Sequence, residues 1–453
     1  MIFTNNPSQS VVDPTDTNWS DIITLAICSL VAGSAMFITQ FALVLHMQSS
    51  GYGGMAVAAV IISVSLPLAV LSPLTGRMAD RFDSRTLMFS SAILQAGAIF
   101  AVAQSDNIPA MVGFATLSAC GTALLNPTAG ALVPKIAKGE DVPRAIGANQ
   151  TGMMLGMLVG PPVAGIMVGQ FSLQAALYLA VGLCLLRSVM CLDIRTRRGG
   201  IRRQVETIEA RQSQWTMRND KVLFITVASA AAALGLVSAV NVAEVFLIRE
   251  TYGASETLYG FLNMPWLFAM AFGAWFIAGI LGKLSTSGRV AYAHLAIIGV
   301  QCLIIAILGL PWPTVFALIP FLFIGGFLNA GANSAMAIGI ARRVHDQYRG
   351  RATARAGAMI HSAVAFGFVS GGVLEMFLSP RAMYVSMGLV GFAIIVLVFP
   401  KLRQAVRTEE TPPVPDPVEE AERIVAPEAI NPNQVRAGDV LQSQSDEQSR
   451  ARL

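Results

Sequence analysis

An all-α integral membrane protein of twelve spanning helices, arranged as two six-helix halves, is the fold class that this 453-residue sequence predicts. Three observations predict it. The chain is 54% hydrophobic and 13% charged, with a mean hydropathy of +0.60, whereas a soluble domain carries roughly a quarter charged residues. Apolar stretches of about twenty residues, the length that crosses a bilayer, recur along it. The segments between those stretches sort by charge.

In order, the spans are expected at 22–46, 54–75, 87–104, 110–133, 146–169, 172–192, 222–248, 258–281, 290–309, 313–340, 357–378 and 382–400. A polar segment, 1–20, precedes the first. It holds Pro7 and Pro14 but no Lys or Arg, so it lacks the basic start of a secretory signal. The N-terminal half is then 21–194 and the C-terminal half 222–400, joined by a basic linker, 195–221, that carries Glu206 and Glu209. The remainder, 401–453, is rich in Pro, Glu, Gln and Ser and lacks the apolar residues of a core, so it is expected to be a disordered tail. Cys28, Cys120, Cys184, Cys191 and Cys302 all fall inside apolar runs and read as packing residues rather than a disulfide framework.

With the first end taken as cytoplasmic, the inside loops hold Arg77, Arg81 and Arg85, then Lys135, Lys138 and Arg144, then the basic linker. Further along they hold Lys283 and Arg289, then Arg342, Arg343, Arg349, Arg351 and Arg355, and finally Lys401, Arg403 and Arg407. The outside holds Arg249 and Arg381. This asymmetry orients the chain by the positive-inside rule, with both termini cytoplasmic in a cell (plasma) membrane.

The halves echo each other. The segment Gly76-Arg77-Met78-Ala79-Asp80-Arg81-Phe82-Asp83-Ser84-Arg85 follows span 2, and Gly282-Lys283-Leu284-Ser285-Thr286-Ser287-Gly288-Arg289 follows span 8. Span 5 has Gly156-x-x-x-Gly160, and span 11 has Gly367-x-x-x-Gly371-Gly372. Duplicated halves leave such echoes behind.

These residues carry a resemblance to the major facilitator superfamily over residues 20–400. Gly76, Ala79, Asp80, Arg81 and Arg85 resemble its loop 2–3 signature, G-x-L-A-D-R-x-G-R-[KR], with Met78, Asp83 and Ser84 departing from it. Ser65-Leu66-Pro67-Leu68, Asn126-Pro127 and Arg349-Gly350-Arg351 are similar to the subgroup of bacterial siderophore and macrolide exporters. The resemblance implies a twelve-helix major facilitator fold, with Gly76, Asp80, Arg81 and Arg85 as a cytoplasmic gate. In span 5, Gly147, Gly156, Gly160, Pro161 and Gly165 resemble the family's antiporter motif, with Ala164 departing, and this points to export. Gly152, Gly156, Gly160 and Ala164 recur at i+4 on one face, and Pro161 and Pro162 bend the helix. Such a seam suits two halves that slide past each other.

Charges inside a span are costly and therefore informative. Glu244, one turn from Asn241, is the leading proton-coupling candidate and Glu375 the second, since a carboxyl in a low-dielectric cavity can bind and release a proton during a transport cycle. Arg187 is expected to snorkel to the interface, and His361 to be a hydrogen-bonded packing residue. Gln40, Asn126, Asn149, Gln150, Asn241, Asn329 and Asn333 are candidates to line a substrate cavity, or to act as glue between helices. The first six spans hold no clearly embedded acid, and span 4 has no Arg near Leu117, so any coupling falls to the second half.

The function these readings support is a secondary active exporter of a small amphipathic molecule (a drug, siderophore or metabolite) working by alternating access with proton antiport. Its partners would be that solute, protons and the lipid bilayer; no nucleic acid is expected, and the chain is expected to be monomeric. An importer or facilitator, or a non-transporting sensor or scaffold, is the alternative. No G-x4-G-K-[ST] loop exists for nucleotide hydrolysis, no cofactor is implied, and the four histidines, His46, His294, His345 and His361, show no metal or nucleophile–base spacing.

Overall fold

The computed structural model describes residues 17–196, 217, 220–344 and 346–410, and among these every regular element is helical. The linker core at 197–216 and the tail after 410 lie outside the described residues. Two compact units divide the chain, Met1–Arg403 and Gln404–Leu453. Among the described residues eleven helices are long and apolar enough to cross a membrane, and the shorter apolar helix Gly53–Leu68 stands where the second span was expected. All twelve expected spans are therefore helical.

Polar caps fix where helices start. Asn18 Oδ1 accepts from Asp21 N at 3.2 Å to open span 1, Trp19–Ser49. Asp83 Oδ2 accepts from Thr86 N at 3.1 Å to open span 3, Ser84–Ala103. Ser172 and Asp220 cap span 6, Leu173–Asp193, and span 7, Lys221–Phe246, in the same way. Gly51 and Gly53, at φ +74° and +73°, turn the chain from span 1 into span 2.

Proline explains most of the irregularity. Span 2 is two pieces, Gly53–Val70 and Ser72–Arg81, the break following Pro67 by one turn. Residues 76–81, expected within a loop, are thus helical. Span 8 breaks at Asn263, just before Pro265, into Glu256–Leu262 and Met264–Gly282. Spans 4 and 5, Ile108–Ile136 and Val142–Gln170, carry internal prolines without breaking. Span 9 is Ser287–Leu308, span 10 Ile319–Arg343 and span 11 Asp346–Leu374. Span 12, Pro380–Glu410, runs past the expected end at 400. Residues 401–410, expected in the tail, are helical because Leu402, Arg403, Gln404, Ala405 and Arg407 are strong helix formers.

Each half is welded by one small-residue seam. In the N-terminal half, a Cβ on Gly152 or Gly156 would lie under 3.0 Å from the backbone of Ala26 or Leu30, and one on Gly160 equally close to the Phe37 side chain. In the C-terminal half, Gly367 and Gly371 approach the backbone of Gly235 and Ala239 just as closely. Span 5 therefore lies against span 1 as span 11 lies against span 7, which is the internal symmetry in physical form. The span 5 seam was expected to slide between halves. Its Gly152, Gly156 and Gly160 instead face span 1 of their own half, because a face of small residues brings together the helices that stay together.

The halves meet at one end of the bundle, opposite the basic loops. There Gly165 touches the Glu256 backbone, Gly260 the Pro161 backbone, and Gly372 the Gly54 carbonyl. At the basic end, Cβ positions on Gly76, Gly130, Gly147, Gly339 and Gly357 meet nothing within 4 Å. The bundle is closed at the far end and open at the basic end. Large apolar side chains such as Phe366, 74% exposed, and Leu397, 72% exposed, face outward, as lipid rather than water as solvent permits.

Gly156→Leu should destabilise the N-terminal half by about 1–3 kcal/mol, the usual cost of overpacking, whereas Gly147→Leu should be neutral. Thermal unfolding of the two purified variants in detergent checks this; equal losses would contradict the seam.

Candidate functional site

Where the halves part, the bundle holds a cavity of about 450 Å³. Both halves build its wall: Gln40 and Phe41 from span 1, Ser65 from span 2, Asn241 and Glu244 from span 7, and Asn329 from span 10. Among the described residues, Glu244 is the one charged residue that lines it. Around that carboxyl stand Tyr259 and Tyr384, both buried, and Asn263. Asn263 sits at the break in span 8, where Nδ2 donates to the Tyr259 carbonyl at 3.1 Å and the side-chain amide faces the Glu244 carboxyl.

Aromatic rings complete the wall. Phe37 and Phe41 have ring centroids 6.0 Å apart, and Phe41 reaches Tyr259 of the other half at 5.7 Å. Trp266 and Phe368 add to this surface. The wall thus offers a ligand broad apolar surface and, among the described residues, a single carboxyl group. Among the described residues no cluster of three or more His, Cys, Asp or Glu is placed to hold a metal.

The polar residues expected in the cavity divide. Gln40, Asn241 and Asn329 line it. Asn149 does not; its Oδ1 accepts from Ser29 Oγ at 2.6 Å, joining span 5 to span 1. Asn126 and Gln150 are exposed and do not line it, and Asn333 lines a smaller void beside it, where Nδ2 donates to Asn329 Oδ1 at 3.3 Å. Tyr259, Asn263, Trp266 and Tyr384 were not anticipated. The Asn263-Met264-Pro265 run inside span 8 was the signal for the break that brings Asn263 to Glu244.

The second coupling candidate, Glu375, lies outside the cavity. It follows the end of span 11 at the closed end, and its Oε2 accepts from Gly54 N at 2.8 Å. That donor is one of the free N–H groups in the first turn of span 2, so the carboxylate joins the two halves by a charge-assisted bond on a helix N-terminus. Beside it, Gln48 Nε2 donates to Glu250 Oε1 at 3.1 Å, Arg249 Nε donates to Gln48 Oε1 at 3.2 Å, and Arg249 pairs with Glu256.

Of the gate residues, Gly76 and Arg81 lie on the helical second piece of span 2, with Arg81 exposed. Arg85 is on the first turn of span 3, with no hydrogen bond at Nε among the described residues. The side chain of Asp80 lies outside the described residues. In span 5, Gly147 faces open space, while Pro161 and Gly165 meet span 8. Two further expectations are corrected. Arg187 does not snorkel: it is 0% exposed, its Nη2 donating to Ser91 Oγ at 3.5 Å, because its helix face points at spans 1 and 3. His361 is exposed rather than packed.

A sequence model described as "Major Facilitator Superfamily" matches residues 25–312 and 238–441. Among curated relatives, the chain is 25% identical over 130 residues to the uncharacterized MFS-type transporter YfiS of Bacillus subtilis, covering 29% of this chain and 31% of that protein. It is 23% identical to the multi-drug resistance efflux pump PmrA of Streptococcus pneumoniae, over 39% of this chain and 46% of that one. These matches span less than half the length of either relative. Macrolide efflux protein A of Streptococcus pyogenes is 19% identical over 73% of this chain and 84% of its own. Of solved structures, the nucleoside transporter NupG aligns at TM-score 0.70 and 15% identity over 85% of this chain and 99% of that chain. A bacterial homolog of the human lysosomal transporter Spinster, inward-facing and unoccupied, aligns at TM-score 0.68 and 11% identity over 86% and 97%. At these identities the structures share the fold.

Glu375→Ala removes a charge-assisted hydrogen bond worth about 1.5–3 kcal/mol, so the closed far end should open at least about tenfold more often. Spin labels at Asp106→Cys and Thr314→Cys, one on each half, report this as a longer distance population. An unchanged distribution would deny the contact a latching role.

Proposed function

Because the chain belongs to the Major Facilitator Superfamily, we propose that it is a secondary active exporter of small amphipathic solutes, driven by proton antiport in the cell membrane. The observation that carries this reading is the lone carboxyl, Glu244, in an aromatic cavity shared by both halves. A single acid there serves two ligands in turn. When ionised it attracts a cationic amphiphile, and when protonated it releases one, so proton and solute compete for one site.

The sorting of basic residues supports placing the open end, and both termini, in the cytoplasm. The described state is then the loading state: solute enters between the open basic ends of the halves and reaches Glu244, while contacts of span 5 with span 8 and of Glu375 with Gly54 seal the far side. Rocking about the cavity would break that seal and bring Gly76, Asp80, Arg81 and Arg85 toward the facing half as the cytoplasmic gate. Glu244 would then meet the more acidic outer medium, take up a proton and discharge the solute. The efflux proteins among the relatives support the outward direction.

Glu244→Gln should cut pH-gradient-driven efflux by about 100-fold, the lower range for losing a positioned proton carrier, while passive exchange of an uncharged amphipathic probe continues. Flux from proteoliposomes under an imposed gradient measures both. Wild-type driven flux in the variant would remove Glu244 from coupling, and driven accumulation in the opposite direction would make the protein an importer.

A further inference from the structure

Beside the central cavity, between spans 7, 9 and 10, lies a small side chamber whose polar groups none of the above employs. His294 and Gln301 of span 9 point into it, two helical turns apart on one face. They are 1% and 3% exposed, and neither ring nitrogen of His294 nor Nε2 of Gln301 makes a hydrogen bond among the described residues. The Ala332 carbonyl lies beside the imidazole but outside hydrogen-bond geometry. Buried polar groups left in this condition cost about 1–3 kcal/mol each, so three of them together need a partner. The space beside them is about 10 Å³, the room one water centre occupies.

The chamber is not isolated. Asn329 lines both it and the central cavity, and Leu234 and Val237 are likewise shared. Asn333, one turn further along span 10 toward the basic end, binds Asn329 and is itself exposed. Met336, another turn on, separates the chamber from a second void at the basic end, lined by Ser287, Thr226 and Arg343. Residues 329, 333, 336 and 343 share one face of span 10, so polar positions and small voids follow that face from mid-membrane to the basic end.

We propose that this side chamber binds water and makes His294 a second proton-binding residue, a relay that passes protons between the basic end and the Glu244 cavity inside the C-terminal half. The inference rests on the antiport reading and adds a route distinct from the solute's. Imidazole is suited to the step, since it can accept a proton at one nitrogen and give one up at the other. The groups that face it favour passage over storage. Span 7 presents Ala230, Ala233, Leu234 and Val237, span 10 presents two amides with Ala332 and Met336, span 9 adds Ile298, Gln301 and Cys302, and among the described residues no charged one lines the chamber. A proton arriving on His294 meets no counter-ion to hold it there.

Two measurements test this. With only four histidines in the chain, ¹⁵N-histidine-labelled protein in detergent gives few imidazole signals, and His294→Gln identifies the one of interest. That signal should show the two neutral tautomers in exchange, the mark of a ring that takes a proton at one nitrogen and gives one up at the other. A His294 held in a single tautomer throughout overturns the proposal whether or not the protein is an antiporter. In proteoliposomes with ethidium as the probe, His294→Gln should lower gradient-driven efflux by about tenfold and flatten its pH profile, with ethidium counterflow unchanged. Loss of counterflow together with driven flux would mark a structural role and overturn the relay. Wild-type driven flux in His294→Gln alongside its loss in Glu244→Gln would overturn the relay and leave the antiport reading standing; no driven flux in the wild type would fell both.

Discussion

Backbone touches backbone along two seams in this protein, and each half is built outward from one of them. Span 5 against span 1 and span 11 against span 7 are so close that no side chain fits between them at Gly152, Gly156, Gly367 or Gly371. In lipid, where apolar association gains nothing from expelling water, close packing of this kind is what holds helices together. It makes each half a stiff body. The consequence reaches the cavity, because stiff halves that separate at one end and meet at the other leave a wedge between them, and the wedge is where Glu244 sits.

Much of this architecture was legible in the chain. Apolar length and basic loops marked the spans, since hydrocarbon thickness and charge placement act on each segment separately. The spacing of glycines in spans 5 and 11 marked the seams. The direction of those seams was not legible, because a small-residue face states that a partner comes close without stating which partner comes. Asn149 illustrates the same gap: its spacing suited a cavity wall as well as it suited the bond to Ser29. The ten helical residues after 400 were obscured by a switch in polarity, which ends a bilayer span without ending a helix.

The cavity divided along similar lines. Glu244 and Gln40 stood out as polar groups in apolar surroundings, a property of the residue and its immediate neighbours. Tyr259 and Tyr384 did not, because a tyrosine within a span is ordinary and only the fold brings these two to one carboxyl. Glu375 was visible as an embedded acid but sits where a helix has already ended, its charge answered by a main-chain donor. The halves also differ electrically. The first buries the guanidinium of Arg187 among Cys28, Cys184 and Cys191, whereas the second places the Glu244 carboxyl in the central cavity and buries the His294 imidazole beside it.

The contact of Glu375 with Gly54 has a consequence for how the protein can vary. One partner is main chain, so no substitution in span 2 can improve or weaken the donor itself. A Cβ at position 54 would come within 2.7 Å of the Glu375 Cβ, so the position admits little but glycine. Variation in the strength of this one contact must then come almost wholly from residue 375, while Gln48, Arg249 and Glu250 are free to vary the rest of the closed end. Two descendants of this chain could differ in how readily the far side yields while every cavity residue stays the same, and their selectivity would be inherited separately from their speed.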